Sequence, residues 1–237
     1  MSFAKKAERL YKQVYRTLRR WQALRAVPRR SDGRRWRSDL PLSAVTTLQE
    51  GTLKYSYRGI PMLRNPFEMA LYPLLVWTAK PGAIIEIGSF RGASALWLAD
   101  MMRTYGLDGE VVSIDIEPPS LPFDRPEITF LRGDAHRLGD VLTPEFLARL
   151  KRPFLVIEDS THLAATTRAV LDFFDPILRK DEYIVIEDAL VTDLGVAHHY
   201  GGGPGVAIAA FLERHRGRYA IDASFCDRYG HNFTGNP

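Results

Sequence analysis

The sequence is poor in cysteine and has no long apolar run. Cys226 is the one cysteine among 237 residues, which excludes an intramolecular disulfide and favours a reducing compartment. No segment approaches the roughly 18 consecutive apolar residues that a membrane-spanning helix needs. Lys5, Lys6, Arg9 and Lys12 interrupt the N-terminus, so that it lacks the apolar core of a signal peptide. These absences predict a cytoplasmic protein.

Positive charge is concentrated at one end of the chain. Residues 1–40 contain thirteen Lys and Arg against three acids, whereas acids outnumber bases in the rest of the sequence. Apolar residues recur at helical spacing over residues 3–25, with basic residues between them. This pattern predicts a basic amphipathic helix, followed by a linker over residues 28–40. We therefore divide the chain into an N-terminal segment, 1–40, and a main domain, 41–237.

The amphipathic helix has three possible partners. It could pack on the main domain or on a second subunit, or it could lie on an anionic membrane surface, with contact through residues 1–37. Nucleic acid is the least favoured partner, because the main domain is acidic and contains no recognition motif.

Beyond residue 40 the pattern alternates between strands and helices. Strands are predicted at 83–87, 110–116, 128–132, 154–157 and 183–186, and near 219–223 and 229–233; helices are predicted at 66–79, 92–104, 144–151 and 162–178. Several strands are continuous apolar runs, as expected for parallel strands that are covered on both faces. The chain is therefore expected to form an α/β, doubly wound, mostly parallel, seven-stranded Rossmann-like sheet, with ligands at the carboxyl ends of its strands.

A glycine turn follows the first of these strands and leads into a helix. A dinucleotide fingerprint needs glycine where Phe90 stands, which disfavours the alternative of an NAD(P)-dependent oxidoreductase. The acid at Glu86 suits a ligand with positive charge, such as the sulfonium and amino groups of S-adenosylmethionine. We interpret the segment as a methyl-donor site. Its candidate binding residues are Glu86, Gly88, Ser89, Phe90 and Ser94.

Acids follow the next two strands as well. Asp115 ends the second strand, where a carboxylate typically accepts both ribose hydroxyls of an adenosine ligand. Asp134, Ala135 and His136 follow the third strand, where they could meet the adenine. Any one of these acids could instead cap the next helix.

Carboxylates also end the fourth and fifth strands. Asp159 follows the fourth strand, and Glu187 and Asp188 follow the fifth, with no Lys or Arg in either motif. Three such groups in contact would repel one another unless a cation joined them. Ligands that are all oxygen favour Mg²⁺, with Mn²⁺ or Ca²⁺ also compatible. The alternative is a water-exposed carboxylate cluster without a metal.

Two groups of histidines accompany this cluster. His162 lies three residues after Asp159 and is a candidate general base, since histidine is the side chain best suited to proton transfer near neutral pH. Its alternative role is helix capping or a solvated side chain. His198 and His199 precede the glycine triplet 201–203, which predicts a mobile lid.

The residues from about Tyr57 to Pro237 resemble the cephalosporin hydroxylase family. The matching motifs are Gly59, Asn65-Pro66, Glu86 to Ser94, Ser113 to Asp115, Ile157 to His162, Val185 to Asp188, Tyr200 to Pro204 and Asn236-Pro237. The resemblance implies the class I S-adenosylmethionine-dependent methyltransferase fold, and the family includes sugar O-methyltransferases.

A more distant similarity links the cluster to catechol O-methyltransferase. In both, a strand-end Asp is followed 28 positions later by an acidic pair or Asp-Asn, here Asp159 and Glu187. The base of that enzyme is a lysine at the position of His162.

Together the resemblances imply an Mg²⁺-assisted O-methyltransferase, with His162 as the base and Asp159 as a catalytic ligand. They also imply a small-molecule or oligosaccharide acceptor and a homo-oligomer, most simply a dimer. A non-catalytic, membrane-associated protein that works through residues 1–37 is the second alternative.

Overall fold

The computed structural model describes residues 3–24, 34–122 and 124–235. Its helices are α1 (Phe3–Leu24), α2 (Leu42–Thr52), α3 (Pro66–Ala79), α4 (Ala93–Thr104), α5 (Pro144–Arg149), α6 (Ala164–Phe174), α7 (Pro204–Arg214) and α8 (Ala223–Cys226). Its strands are β1 (Ser56–Tyr57), β2 (Ile60–Pro61), β3 (Ala83–Ile87), β4 (Glu110–Asp115), β5 (Ile128–Arg132), β6 (Phe154–Glu158) and β7 (Tyr183–Ile186).

Five parallel strands form the central sheet, in the order β5-β4-β3-β6-β7. Ala83 at the start of β3 is in register with Glu110 on one side and Phe154 on the other. The chain order reverses between β3 and β6, so that the loops after these two strands diverge and leave a crevice at their carboxyl ends. The remaining strands, β1 and β2, form a short antiparallel hairpin.

Alternate side chains of the central strands enter two separate cores. Ile84 of β3 packs with residues of α3 and α4 on one face of the sheet. Ile85 and Ile87 pack on the other face with Val170 and Phe174 of α6. Both faces are apolar because helices cover both, which accounts for the apolar residues on both sides of β3, where Glu86 is the one polar residue.

The predicted α/β doubly wound fold is confirmed, and its five central strands lie within a residue of their predicted bounds. The last two predicted strands are wrong: no strand follows β7 in the described part of the chain. The carboxylate of Asp222 accepts a hydrogen bond from Ser224 N and thereby begins α8, while Gly230 and Asn232 have left-handed φ angles of 144° and 52°. Residues 219–223 instead line a cavity of about 680 Å³ beside β7.

The predicted N-terminal elements are described in part. Helix α1 ends one residue before the predicted bound, and its Leu10, Tyr11, Val14 and Leu18 side chains are exposed. Much of the predicted linker, up to residue 33, lies outside the described residues. No helix in the described ranges is both long enough and apolar enough to cross a bilayer.

The described part of the predicted linker is held by a cluster that we call the Arg34 clasp, formed by Arg34, Asp227, His231 and Asn232. The Arg34 guanidinium donates to both carboxylate oxygens of Asp227, at 2.9 and 2.6 Å, and to the Asn232 side chain. His231 Nε2 lies 2.8 Å from the Arg35 carbonyl oxygen, to which it donates. The clasp thus ties the linker to residues near the C-terminal end of the main domain.

Candidate active site

The crevice is built on a backbone contact at Gly88. Its φ of 101° is left-handed, and a Cβ at this position would lie 2.0 Å from the carbonyl oxygen of Asp159. Only glycine fits there. The Asp159 amide in turn donates to the Ile87 carbonyl at 2.8 Å. The predicted donor turn and the strand end that carries Asp159 are therefore packed directly against each other.

Asp115 organises the donor turn from the neighbouring strand. Its Oδ2 accepts hydrogen bonds from the amides of Ser89 at 2.8 Å and Phe90 at 3.2 Å. Glu86, by contrast, is fully buried and accepts from the hydroxyls of Ser94 and Ser113. Burial raises the pKa of Glu86, and these hydroxyls lower it in part. In this structure Glu86 stabilises the turn through its hydrogen bonds with Ser94 and Ser113. Its direct contact with a methyl donor stays a prediction.

The predicted adenine-side residues lie after β5, at the far side of the same edge. The Asp134 side chain accepts from the His136 amide at 2.8 Å and caps the short 3₁₀ helix that begins at Ala135. His136 Nε2 lies 3.1 Å from the Thr166 hydroxyl. The contacts of Asp134 and His136 serve local structure here, and their part in donor binding is a prediction that no contact tests.

Three side chains after β6 and β7 form a group that could hold a metal. Asp159, His162 and Asp188 each offer a ligand atom within 4.8 Å of the others. His162 Nε2 lies 3.2 Å from Asp188 Oδ2. His162 and Asp188, like Phe90 across the crevice, have left-handed backbones, with φ between 45° and 57°. Such strained residues persist where the surrounding structure holds them, often at functional sites.

The left-handed backbone at His162 also explains a boundary. The predicted helix 162–178 begins two residues later, at Ala164, because a residue with a φ of 57° cannot continue a right-handed helix. His162 is therefore on the loop, with its ring 6.1 Å from the ring of Tyr200. Tyr200 precedes the glycine triplet, whose predicted mobility stays a prediction.

Glu187 lies next to this group, but its carboxylate has other partners. It accepts a hydrogen bond from the Tyr72 hydroxyl and pairs with the guanidinium of Arg64. Arg64 Nη2 also lies 3.3 Å from Asp159 Oδ2. The structure thus brings Asp159 and Asp188 together as predicted, adds His162, and turns Glu187 toward Arg64.

Arg64 is the site residue that sequence reasoning missed. It lies on the loop between β2 and α3, far from the acidic motifs in sequence, where an isolated arginine ordinarily indicates a solvated side chain. The usable signal was its position directly before Asn65-Pro66, one of the motifs that carry the family resemblance.

Acids remain in excess around Arg64. Burial and the neighbouring Glu187 raise the pKa of Asp159 well above its ordinary range, and burial also raises that of Asp188. Burial raises the pKa of Glu68, on the other side of Arg64, to about 8. A further cation would offset this excess, and an oxygen-rich group with one imidazole fits a divalent metal.

The group opens onto a cavity of about 180 Å³. Its lining contains the donor turn, the metal group and the loop that carries Arg64: Pro61, Met62, Leu63, Arg64, Gly88, Ser89, Phe90, Ala93, Ser94, Asp159, Ser160, His162 and Asp188. The geometry therefore places a candidate cation site beside a candidate donor site in one crevice.

A family model for rhamnosyl O-methyltransferase/CmcI matches residues 49–237. The chain belongs to this family. The resemblance to the cephalosporin hydroxylase family is thereby confirmed, and all predicted site residues lie within the match. The boundary of the main domain at residue 41 stays a prediction.

Several members of the family are similar over most of their length. A rhamnosyl O-methyltransferase of Mycobacterium leprae is 29% identical over 187 residues, which cover 76% of this chain and 80% of the relative. One from Mycobacterium tuberculosis is 28% identical over 184 residues, covering 75% and 74%.

Among solved structures, CmcI with Mg and S-adenosylmethionine is 26% identical, with a TM-score of 0.61 and coverage of 78% of this chain and 75% of that one. An apo structure of CmcI is 25% identical, with a TM-score of 0.62 and coverage of 92% and 93%. This chain thus has the same fold as a known methyltransferase.

Proposed function

We propose that this protein transfers a methyl group from S-adenosylmethionine to a sugar hydroxyl, with Mg²⁺ bound in the crevice. The observation that carries the proposal is the backbone contact between Gly88 and Asp159, which joins a donor turn to a candidate metal group. The family supports the same chemistry, since the relatives are named rhamnosyl O-methyltransferases and CmcI is solved with Mg and S-adenosylmethionine.

Asp159 and Asp188 are the proposed metal ligands. The third proposed ligand is Glu187, as predicted from sequence, whereas His162, which lies within reach of the same group, is assigned to proton transfer. One oxygen of Glu187 accepts from Tyr72 and the other pairs with Arg64, and each oxygen keeps a lone pair that could face a metal. When bound, Mg²⁺ supplies a Lewis acid that lowers the pKa of an acceptor hydroxyl.

The donor is proposed to bind along Gly88, Ser89 and Phe90, with Asp115 at its ribose. Ser89 and Phe90 already donate their amides to Asp115, which fixes the turn before a ligand arrives. Asp134 and His136 are proposed to border the adenine. The contribution of these residues is to position two reactants, which is a large part of catalysis in transfer reactions.

His162 is proposed to take the proton. The acceptor oxygen attacks the sulfonium methyl group, the new O–C bond forms as the C–S bond breaks, and the hydroxyl proton passes to the His162 ring. The neutral thioether S-adenosylhomocysteine then leaves. Asp188, at 3.2 Å, orients the ring and stabilises its protonated form.

Methyl transfer to a rhamnosyl acceptor, detected by mass spectrometry, tests this function. S-adenosylmethionine and its demethylated product should also raise the melting temperature, because a ligand that binds only the native state stabilises it. Stabilisation by NAD instead of the methyl donor would overturn the proposal in favour of an oxidoreductase.

Helix α1 supports a second, subsidiary role. Leu10 and Leu18 are 63% and 58% exposed, and Lys6, Lys12 and Arg16 share the helix with them. We propose that the protein is a cytoplasmic enzyme and that α1 makes peripheral contact with an anionic membrane. The alternative partner of α1 is a second subunit, in a dimer.

Vesicle flotation with and without residues 3–24 tests this role and leaves the Arg34 clasp intact. Analytical ultracentrifugation of both forms gives the oligomeric state. Flotation that persists without the helix would remove α1 from membrane contact. Binding without methyl transfer by the full chain would favour a non-catalytic protein.

A further inference from the structure

Arg64 is a buried cation between two carboxylates of the candidate active site. Its side chain is 1% exposed, lies 3.3 Å from Asp159 Oδ2 and pairs with Glu187. The guanidinium carbon of Arg64 lies over the Tyr72 ring, 5.1 Å from the ring centre. A buried charge is tolerated only when it is paired, so Arg64 and its acids require each other in the metal-free protein.

One partner of Arg64 is a proposed metal ligand, which distinguishes it from a purely structural arginine. A carboxylate that faces a guanidinium shares its negative charge with any second cation that reaches its other oxygen. Two cations on opposite sides of Asp159 also repel each other, and low-dielectric surroundings strengthen that repulsion. Arg64 and a metal ion are therefore competitors for the same acid.

The backbone of Arg64 is held in place on both sides. Its amide donates to the Met62 carbonyl at 3.1 Å. The next residue, Asn65, caps α3: its side chain accepts from Phe67 N, and its own amide donates to Glu68 Oε2 at 2.8 Å. A pinned backbone inside a packed site limits how far the guanidinium can withdraw when a metal binds.

We infer that Arg64 is a built-in counter-cation of the active site, which replaces the divalent metal in the metal-free protein and weakens metal binding. This inference rests on the metal site proposed above. Arg64 and the metal would then share the negative charge of Asp159 and Glu187, so that neither cation neutralises these acids alone. The metal is thereby kept exchangeable.

Mn²⁺ binding measured by electron paramagnetic resonance on the full chain tests the inference. Arg64→Met removes the charge but keeps a long apolar side chain, and should bind Mn²⁺ at least about tenfold more tightly than the wild type. Arg64→Lys keeps the charge and should stay within about threefold of the wild type. Arg58→Met, which removes an exposed arginine paired with Asp100, is the matched control and should leave the Mn²⁺ affinity unchanged.

Thermal melting gives an independent readout. Metal-free Arg64→Met should be less stable than the wild type, and Mg²⁺ should restore more of its melting temperature than it adds to the wild type. A merely structural role for Arg64 predicts the opposite sign in the first experiment, namely weaker Mn²⁺ binding.

Unchanged or weaker Mn²⁺ binding by folded Arg64→Met overturns the inference. So does a variant that stays unfolded with Mg²⁺ present, because the metal would then fail to replace the lost charge. If the wild type itself binds no Mn²⁺, or if Asp188→Ala binds it equally well, it is the proposed metal site that fails.

Discussion

Arg34 and Arg64 are both buried arginines that pair with carboxylates, and the charge around the two differs. Arg34 and Arg64 are 2% and 1% exposed at the side chain. Arg34 meets one carboxylate, Asp227, whereas Arg64 faces both Asp159 and Glu187. The pKa values respond in opposite directions. That of Asp227 is lowered, because hydrogen bonds from Arg34 outweigh its burial, whereas that of Asp159 is raised.

The comparison shows how one kind of ion pair can serve two purposes. In the Arg34 clasp a single arginine neutralises a single acid, so that no excess negative charge is left to attract a metal ion. A single arginine among several acids leaves a deficit of positive charge, which a metal can offset. Each region also has a histidine beside its aspartate: His231 lies 3.7 Å from Asp227, and His162 lies 3.2 Å from Asp188.

The largest expected effect separates the two histidines. His162→Ala should lower kcat by roughly 10²–10⁴, the usual contribution of a positioned proton acceptor, with S-adenosylmethionine binding unchanged. The wild-type rate should fall in acid with an apparent pKa that the variant lacks. His231→Ala, the matched control in the clasp, should lower stability but not kcat.

The competing base is His136. An inactive His136→Ala beside a nearly normal His162→Ala would remove the analogy with catechol O-methyltransferase and reassign the base.

The next largest effect is on the clasp. Arg34→Met should destabilise the fold by about 3 kcal/mol, because it leaves the Asp227 charge partly buried without its partner. For a domain of this size that corresponds to a melting temperature lower by roughly 6–12 °C. Mg²⁺ should restore none of it, in contrast to Arg64→Met. Arg35→Met, which removes an exposed arginine, is the control; equal melting temperatures for the two variants would contradict a stabilising clasp.

Metal binding distinguishes the two aspartates. Asp188→Ala should weaken Mg²⁺ affinity by about 10–100-fold, since it removes a proposed ligand, whereas Asp227→Asn should leave it unchanged. Chelation with EDTA should abolish methyl transfer, and added Mg²⁺ should restore it. Full activity after rigorous chelation would remove the metal from the reaction.

The smallest expected effect is a pH dependence of the clasp. Because folding lowers the pKa of Asp227 below its ordinary value of about 4, its contribution to stability is present above that pH and is lost as the pH falls toward the folded-state pKa. Asp227→Asn should therefore flatten the acid side of the stability curve by about 1 kcal/mol or less. Urea unfolding between neutral and acidic pH measures the slope, and identical slopes would show that Asp227 does not contribute.

The sheet could be predicted from sequence because its signals are local. The β3 strand, 83–87, is apolar except for Glu86 and has turn residues at both ends. Acids after successive parallel strands must share one edge of the sheet. The segments 219–223 and 229–233 also have the composition of strands. There, however, the capping side chain of Asp222 and the left-handed backbone at Gly230 favour turns and a short helix.

The charge balance of the site could not be predicted, because it depends on tertiary contacts. Apart from its position before the Asn65-Pro66 motif, nothing in the sequence indicates that Arg64 enters the acidic crevice. Nothing around Glu187 indicates that Tyr72 and Arg64 bind it. The motifs did identify Asp159, His162 and Asp188, since their strand ends converge in any doubly wound sheet. The loop before α3 carries Arg64 and thereby determines which acids pair with an arginine and which are left for the proposed metal.

The contact between Gly88 and Asp159 has a consequence for how such an enzyme changes its acceptor. Both partners in the contact are backbone atoms, so the spacing between the donor turn and the strand end at Asp159 is fixed as long as residue 88 is glycine. The loop around Tyr200, whose ring lies beside that of His162, can therefore be redesigned while the donor turn and the metal group keep their separation. To accept a new sugar, such an enzyme would need to change only the residues that bind the acceptor, because the distance over which the methyl group is transferred stays the same.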